Sequence, residues 1–390
     1  KSIKGTILPS SFFEDMGFTY IGPVDGHQVG ELTRLLRWAK SLPGPVLVHV
    51  RTVKGKGWPH AEETPDAYHG VSPFDLATGK PLKASGQNFS SVFGEELSRL
   101  AVDDPKICAV TAAMRSGNGL DPFAIRCPER FFDVGIAEGH AVAMCSGMAK
   151  QGMLPVFAVY SSFLQRGYDM LIHDMALQRL HMVLGVARAG LVGDDGETHQ
   201  GLFDVAYLST VPGLTLLAPA SFAETRSMLH RALYELDGPV ALRYARGGEN
   251  GYSDDHSQGA AEVLREGSDW TAVCYGTMTG EVLAAAEALD VEGISVEVVK
   301  LNQLAPLEPE TVLTSVRKTG RLLVAEEVIQ TGSLGVALAG AAAAEGLALK
   351  ALKLLNTGDR FVPHGTIPQL REKLGINSDH IASVMREAER

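Results

Sequence analysis

Along most of this chain the apolar residues fall in short unbroken runs, not in strict alternation. Runs at 107–110, 131–134, 156–159, 182–186, 214–218 and 240–244 each read as a strand covered on both faces. Longer stretches between them carry helical spacing, including a small-residue helix from Ala141 to Met148. Strand–helix alternation of this kind predicts an α/β fold with a parallel sheet between helical layers. After a polar stretch at 248–258 a second, smaller α/β set follows. Its strands are predicted at 271–274, 295–299, 322–326 and 348–353, with helices at 281–289 and 334–344. Ahead of both lie an amphipathic helix at 29–41, a strand at 45–51 and a glycine- and lysine-bearing loop at 52–58. A polar segment at 75–87 with Gly79, Pro81 and Gly86 marks a boundary. The predicted domains are 1–84, 85–252 and 253–390.

Composition narrows the function classes. A length of 390 residues is long for one core. A net charge of −11 argues against a general nucleic-acid or anionic-membrane surface, while leaving room for a local basic pocket. The four cysteines, Cys108, Cys127, Cys145 and Cys274, lack CxxC spacing and read as free thiols of a reducing cytoplasm. The apolar run Val336–Ala344 is too short to span a bilayer. The chain opens on Lys-Ser-Ile-Lys without an initiator methionine, which suggests a fragment or a processed chain.

Chemistry is expected beyond the carboxyl ends of the strands. In Val134-Gly-Ile-Ala-Glu-Gly-His-Ala-Val-Ala-Met144 a lone glutamate, Glu138, sits where strand gives way to helix. Desolvated there, its carboxylate could hold or hand over a proton near neutrality; the plainer alternative is a helix N-terminal cap. The stretch from Tyr160 to Asp169 sets Arg166 at another strand-to-helix junction, suited to an anion. Its alternative is Phe163 and Tyr168 in the core with Arg166 in a surface ion pair. Arg188 ends a third strand, and Arg246 could supply a second phosphate-binding arginine. The loop 191–204 holds three glycines, four acids and His199, so Asp195 and His199 could bind a small polar ligand or form a solvated turn. His173-Asp174, with His27, His69, His140 and His199 elsewhere, leaves a metal-dependent phosphohydrolase open. The loop bearing Lys54 and Lys56 lacks the spacing of a P-loop.

Taken together, the segments Tyr20–His27, Lys54–Gly57, Phe132–Val142, Ser162–Asp169, Asp195–Gly201 and Arg243–Gly247 resemble the 1-deoxy-D-xylulose-5-phosphate synthase family. Its members are thiamine-diphosphate enzymes of the transketolase group. The resemblance runs nearly end to end. It implies a parallel-sheet pyrimidine-binding domain and a smaller C-terminal transketolase-like α/β domain, preceded by the tail of a diphosphate-binding α/β domain. It also implies decarboxylating condensation of pyruvate with D-glyceraldehyde 3-phosphate. Glu138 would hydrogen-bond the aminopyrimidine ring and so activate the cofactor. Phe163 would stack on that ring, and Ile136 and Met114 would line the cleft. Lys54 would reach the diphosphate, and His69 and His199 would serve the reacting centre. Arg166 and Arg246 would hold the acceptor phosphate, with Tyr160, Asp195 and His199 around its hydroxyls.

A homodimer in the cytoplasm, with no nucleic-acid or membrane partner, is the matching expectation. Two departures stand out. Gly139 occupies a position where the family usually has glutamine. No GDG-type segment ending in asparagine occurs in the chain, so no magnesium ligands are assigned in it. The Mg2+ that accompanies thiamine diphosphate would be held by a separate N-terminal fragment of the same enzyme.

Overall fold

The computed structural model describes residues 12–65, 67–71, 73–82 and 86–388. The chain divides into two compact units, 1–85 and 86–390. In the first, β1 (Thr19–Asp25) pairs in parallel with β2 (Val46–Arg51), and the Val29–Ala39 helix connects them. A glycine at position 22 is required, because a Cβ there would stand 2.5 Å from the His49 carbonyl oxygen. The internal Gly22-Pro23 pair hides β1 in the sequence, since proline and glycine weaken a strand pattern. Trp58 packs on Phe74 with ring centroids 4.9 Å apart and edge-on to Tyr68 at 4.7 Å.

The second unit holds two sheets. One has seven strands, of which six are parallel: β3 (Ile107–Thr111), β4 (Phe131–Asp133), β5 (Leu154–Tyr160), β6 (Met182–Ala187), β7 (Thr215–Leu217) and β8 (Pro239–Arg243). The five-stranded sheet comprises β9 (Ala261–Arg265), β10 (Trp270–Cys274), β11 (Val296–Leu301), β13 (Arg321–Ala325) and β14 (Ala351–Leu355). The short strand β12 (Gln303–Ala305) leaves that second set and runs antiparallel to β7 at the edge of the seven-stranded sheet. One core joins the two sheets, with Val110, Phe157, Leu184 and Leu216 from the first and Val273, Val299, Leu322 and Val324 from the second. The unbroken apolar runs follow from this double cover: β3, β6 and β8 are buried at every position.

Two strand boundaries need correction. The last strand is Ala351–Leu355 instead of 348–353, because Lys350 first bonds back to the Gly320 carbonyl. The strand predicted at 131–134 stops at Asp133, and Ile136 beyond it is 82% exposed. Among the described residues β4 is an edge strand paired with β3 alone, and Gly135, at φ +71°, turns the chain away. The antiparallel strands β9 and β12 carry no signal that distinguished them from their polar surroundings. All four cysteines are buried free thiols. Among the described residues no helix is long and apolar enough to cross a membrane.

Candidate functional site

The register of the parallel strands brings the candidate residues together beyond the carboxyl ends of β5, β6 and β8. Tyr160 at the end of β5 pairs with Ala187 of β6, and Val186 pairs with Arg243 of β8. Tyr160, Arg188 and the Tyr244–Arg246 segment therefore emerge level with one another. Between β6 and the Asp204–Leu208 helix the chain makes a loop closed at its base by Gly190 and Gly201, whose N–H groups donate to each other's carbonyls at 2.7 and 2.8 Å. Glycine is needed at 201, where a Cβ would lie 2.2 Å from the Arg188 carbonyl oxygen. Asp204, just past the loop, forms a buried ion pair with Arg243 at 2.9 Å.

Glu138 opens the helix Glu138–Lys150 and is 3% exposed. The N-cap residue, Ala137, offers no side-chain acceptor, so an acidic first-turn residue suits the helix end as well. The proton-carrier and helix-end readings of Glu138 thus share one geometry. Asp133 holds the approach, its Oδ1 accepting from the N–H of Gly135 at 3.0 Å and of Ala113 at 2.8 Å.

From Glu138 a line of contacts crosses the strand ends. Arg166 donates to Glu138 Oε1 at 3.3 Å, and its guanidinium lies 5.4 Å from the centre of the Phe163 ring. Phe163 stacks on Tyr160 at 5.4 Å and meets His199 edge-on at 5.3 Å. The Arg188 guanidinium covers the Tyr160 ring at 4.1 Å. Arg188 also pairs with Asp195 Oδ2, and Arg246 reaches Asp195 Oδ1 at 3.3 Å. Two arginines thus converge on one carboxylate, and a third occupies the buried glutamate. Arg246 is steadied by its bond to the Val192 carbonyl oxygen at 2.7 Å. Gly117 makes room for Tyr160, since a Cβ there would stand 2.1 Å from the tyrosine hydroxyl.

Burial pushes the Tyr160 hydroxyl up and the Arg188 guanidinium down from their ordinary values. Burial lowers His199 as well, with the nearby Arg188 charge adding to it. Neutral imidazole is therefore the favoured form, and its Nδ1 lies 2.8 Å from the Thr198 hydroxyl.

The sequence-predicted residues Glu138, Phe163, Tyr160, Arg166, Asp195, His199 and Arg246 come together in this constellation. Arg166, expected beside Arg246, has its ion pair with Glu138 instead. Sequence reading placed Arg188 at a strand end without assigning it a ligand. Its φ of +56° and its place directly after β6 bring it back over Tyr160, which no linear pattern announces. Met114 is half-buried beside the core cluster that includes Tyr160, and its Cε lies 2.8 Å from where a Gly117 Cβ would be. Ile136 stands in solvent two residues before Glu138. Lys54 and His69 are exposed residues of the first unit. His173 pairs with Asp169 at 3.3 Å on an exposed surface, and no group of three or more metal-ligating side chains gathers among the described residues.

Three family descriptions match the chain: "Transketolase, pyrimidine binding domain" over residues 85–248, "Transketolase, C-terminal domain" over 259–381 and "1-deoxy-D-xylulose-5-phosphate synthase" over 1–52. Among curated proteins, the 1-deoxy-D-xylulose-5-phosphate synthase of Heliobacterium modesticaldum is 45% identical over 99% of this chain and 60% of its own length. That of Desulforudis audaxviator is 44% identical over 100% of this chain and 62% of its own. The chain thus spans about three fifths of the curated relatives it matches. A solved structure described as a split gene transketolase, inactive beta4 tetramer, aligns with a TM-score of 0.67 and 29% identity, covering 78% of this chain and 98% of that one. A transketolase of Pichia stipitis, 16% identical over 78% of this chain and 46% of its own, shares the fold with a TM-score of 0.64.

Proposed function

Because the chain belongs to the 1-deoxy-D-xylulose-5-phosphate synthase family of the transketolase group, we propose that it carries the cofactor-activating and acceptor-binding half of such an enzyme. The reaction joins pyruvate to D-glyceraldehyde 3-phosphate with loss of carbon dioxide, giving 1-deoxy-D-xylulose 5-phosphate. The observation that carries this reading is the unbroken line from Glu138 through Arg166 and Phe163 to Arg188, Asp195 and Arg246. It sets a buried carboxylate and a cationic pair at the carboxyl ends of neighbouring strands.

The residues present fit an aminopyrimidine cofactor. Glu138 offers a desolvated carboxylate for a ring nitrogen, Phe163 a half-buried aromatic face, and Ile136 an apolar side chain held in solvent. Thiamine diphosphate, when bound, supplies the carbon nucleophile and takes up the electron pair released with carbon dioxide. Glu138 holds the proton shared with the ring nitrogen, and Met114 closes the cleft wall.

Arg188 and Arg246 bind the acceptor's phosphate. Two guanidinium charges against the single charge of Asp195 leave a net positive site for that dianion. Tyr160, Asp195 and the neutral His199 contact the acceptor's oxygen atoms. Arg166 keeps the Glu138 carboxylate oriented. Lys54 and His69 are assigned to the diphosphate and the reacting centre, with Mg2+ as counter-ion to the diphosphate. Its ligands are assigned to the length of the relatives outside the aligned part.

A homodimer in the cytoplasm belongs to the same proposal. The likeness to a split gene transketolase supports a partner polypeptide that completes the site.

The test measures product from pyruvate and D-glyceraldehyde 3-phosphate with thiamine diphosphate and Mg2+, using the chain alone and with the remaining relative-derived portion supplied. Turnover in either case, lost when the aldehyde lacks phosphate, supports the reading. Equal turnover with the unphosphorylated aldehyde would point to another carboligase of the group. Silence from folded, associated pieces would leave a non-catalytic chain.

A further inference from the structure

We infer that Glu327 and Arg371 of the C-terminal layer are positioning residues for the phosphate-binding arginines, acting through the 190–201 loop; this rests on the function proposed above. The loop belongs in sequence to the pyrimidine-binding domain, yet its packing lies with the C-terminal sheet. Leu191 and Leu202, at its two ends, are buried in the cluster formed by Trp270, Val298, Leu323 and Leu370. Glu327 Oε2 accepts the Leu191 N–H at 3.3 Å. A Cβ on Gly190 would stand 2.5 Å from that same oxygen, so the loop's base rests directly on the carboxylate.

Glu327 is itself fixed from behind. Arg371 donates through Nε to Glu327 Oε1 at 2.6 Å, through Nη1 to Glu281 at 2.9 Å and through Nη2 to the Thr277 hydroxyl at 3.0 Å. Glu327 and Arg371 are both buried, and a planar guanidinium with three distinct acceptors has one orientation open to it.

A second clasp lies further along the loop. Gln200 accepts the Val192 N–H at 2.8 Å and donates to the Pro363 carbonyl oxygen at 3.1 Å. Val192 is the residue whose carbonyl oxygen receives Arg246, and Gly193 would meet the Gly365 carbonyl oxygen at 3.1 Å if it bore a Cβ. The loop is therefore clamped by the C-terminal layer on either side of the segment that carries Asp195. A small displacement at Leu191 or Val192 would part Asp195 from Arg188 and Arg246, because both arginines register on that one carboxylate.

The experiment compares the unsubstituted chain with Glu327→Gln, Arg371→Lys and Gln200→Leu. Calorimetric titrations use D-glyceraldehyde 3-phosphate and D-glyceraldehyde, and amide hydrogen exchange is followed in the 190–201 loop and in β10 and β11. The expected result is a roughly tenfold loss of preference for the phosphorylated aldehyde in each variant. Faster exchange should be confined to the loop, with affinity for D-glyceraldehyde unchanged. Preference retained in Gln200→Leu and Arg371→Lys would overturn the inference while leaving the proposed function standing. Faster exchange spread through β10 and β11 would also overturn it, since the pair would then only stabilise the domain. Absence of any phosphate preference in the unsubstituted chain would overturn the proposed function and this inference together.

Discussion

Arg166 lies 3.3 Å from the buried carboxylate of Glu138, with its own guanidinium largely open to solvent. An arginine so placed fixes the carboxylate's direction, whereas Arg188 and Arg246 have their ion pairs with Asp195. Arg166→Met should accordingly lower kcat about tenfold or more while changing the KM for D-glyceraldehyde 3-phosphate little. A rise in KM confined to the phosphorylated aldehyde would return Arg166 to phosphate binding. Glu138→Gln should cost about 10²–10⁴-fold in turnover with the fold intact by circular dichroism. Near-normal activity would remove Glu138 from cofactor activation.

Arg188→Ala and Arg246→Ala should each weaken binding of the phosphorylated aldehyde by about 1.5–3 kcal/mol. Their effects should be less than additive, because both arginines share Asp195. Calorimetry on the two single variants and the double variant decides this. Full additivity would mean that the two side chains act on separate groups.

His199 should titrate below the usual histidine value of about 6.5, because burial and then Arg188 disfavour its cation. The unfolded chain takes up that proton first as pH falls. The site's contribution to stability is thus present above about pH 6.5 and lost on acidification through the lower folded value. Binding that needs the neutral ring should fail on the same acid side. Proton NMR of the imidazole follows this directly, and Arg188→Ala should move the midpoint upward. A midpoint at or above the usual value in the unsubstituted chain would contradict the assignment.

Lys300 and Glu224 are both fully buried and 2.7 Å apart, joining β11 to the Phe222–Tyr234 helix. Glu224 also accepts from the Tyr252 hydroxyl at 2.9 Å and the His256 N–H at 3.1 Å. Lys300→Met should destabilise by about 3–5 kcal/mol, since it strands a buried charge. Denaturant unfolding measures the loss, and a change under about 1 kcal/mol would show that the cluster tolerates an unpaired carboxylate.

Gly117→Ala should displace Tyr160, whose hydroxyl occupies the space of the added methyl. Acceptor binding should weaken several-fold with a small change in thermal midpoint. Unchanged binding would separate Tyr160 from the substrate.

The run of apolar residues in β3, β5, β6 and β8 was enough to announce a parallel α/β sheet, because burial on both faces removes the need for alternation. Glu138 was equally legible as a lone charge in an apolar stretch, as were Asp195 and His199 in a glycine-rich loop. The edge strands were harder: β9 and β12 are short and antiparallel, and exist only where β11 and β7 offer unpaired backbone. The convergence of Arg188 and Arg246 on Asp195 depends on β6 and β8 lying side by side, although the two arginines are far apart along the chain. The partner of Arg166 likewise depends on how the Glu138 helix packs. Residue type and local spacing determined which groups could do chemistry and on which kind of sheet. Strand order and the packing of the 190–201 loop on the C-terminal layer decided which of them meet, because an ion pair depends on distance in space and sequence records only distance along the chain.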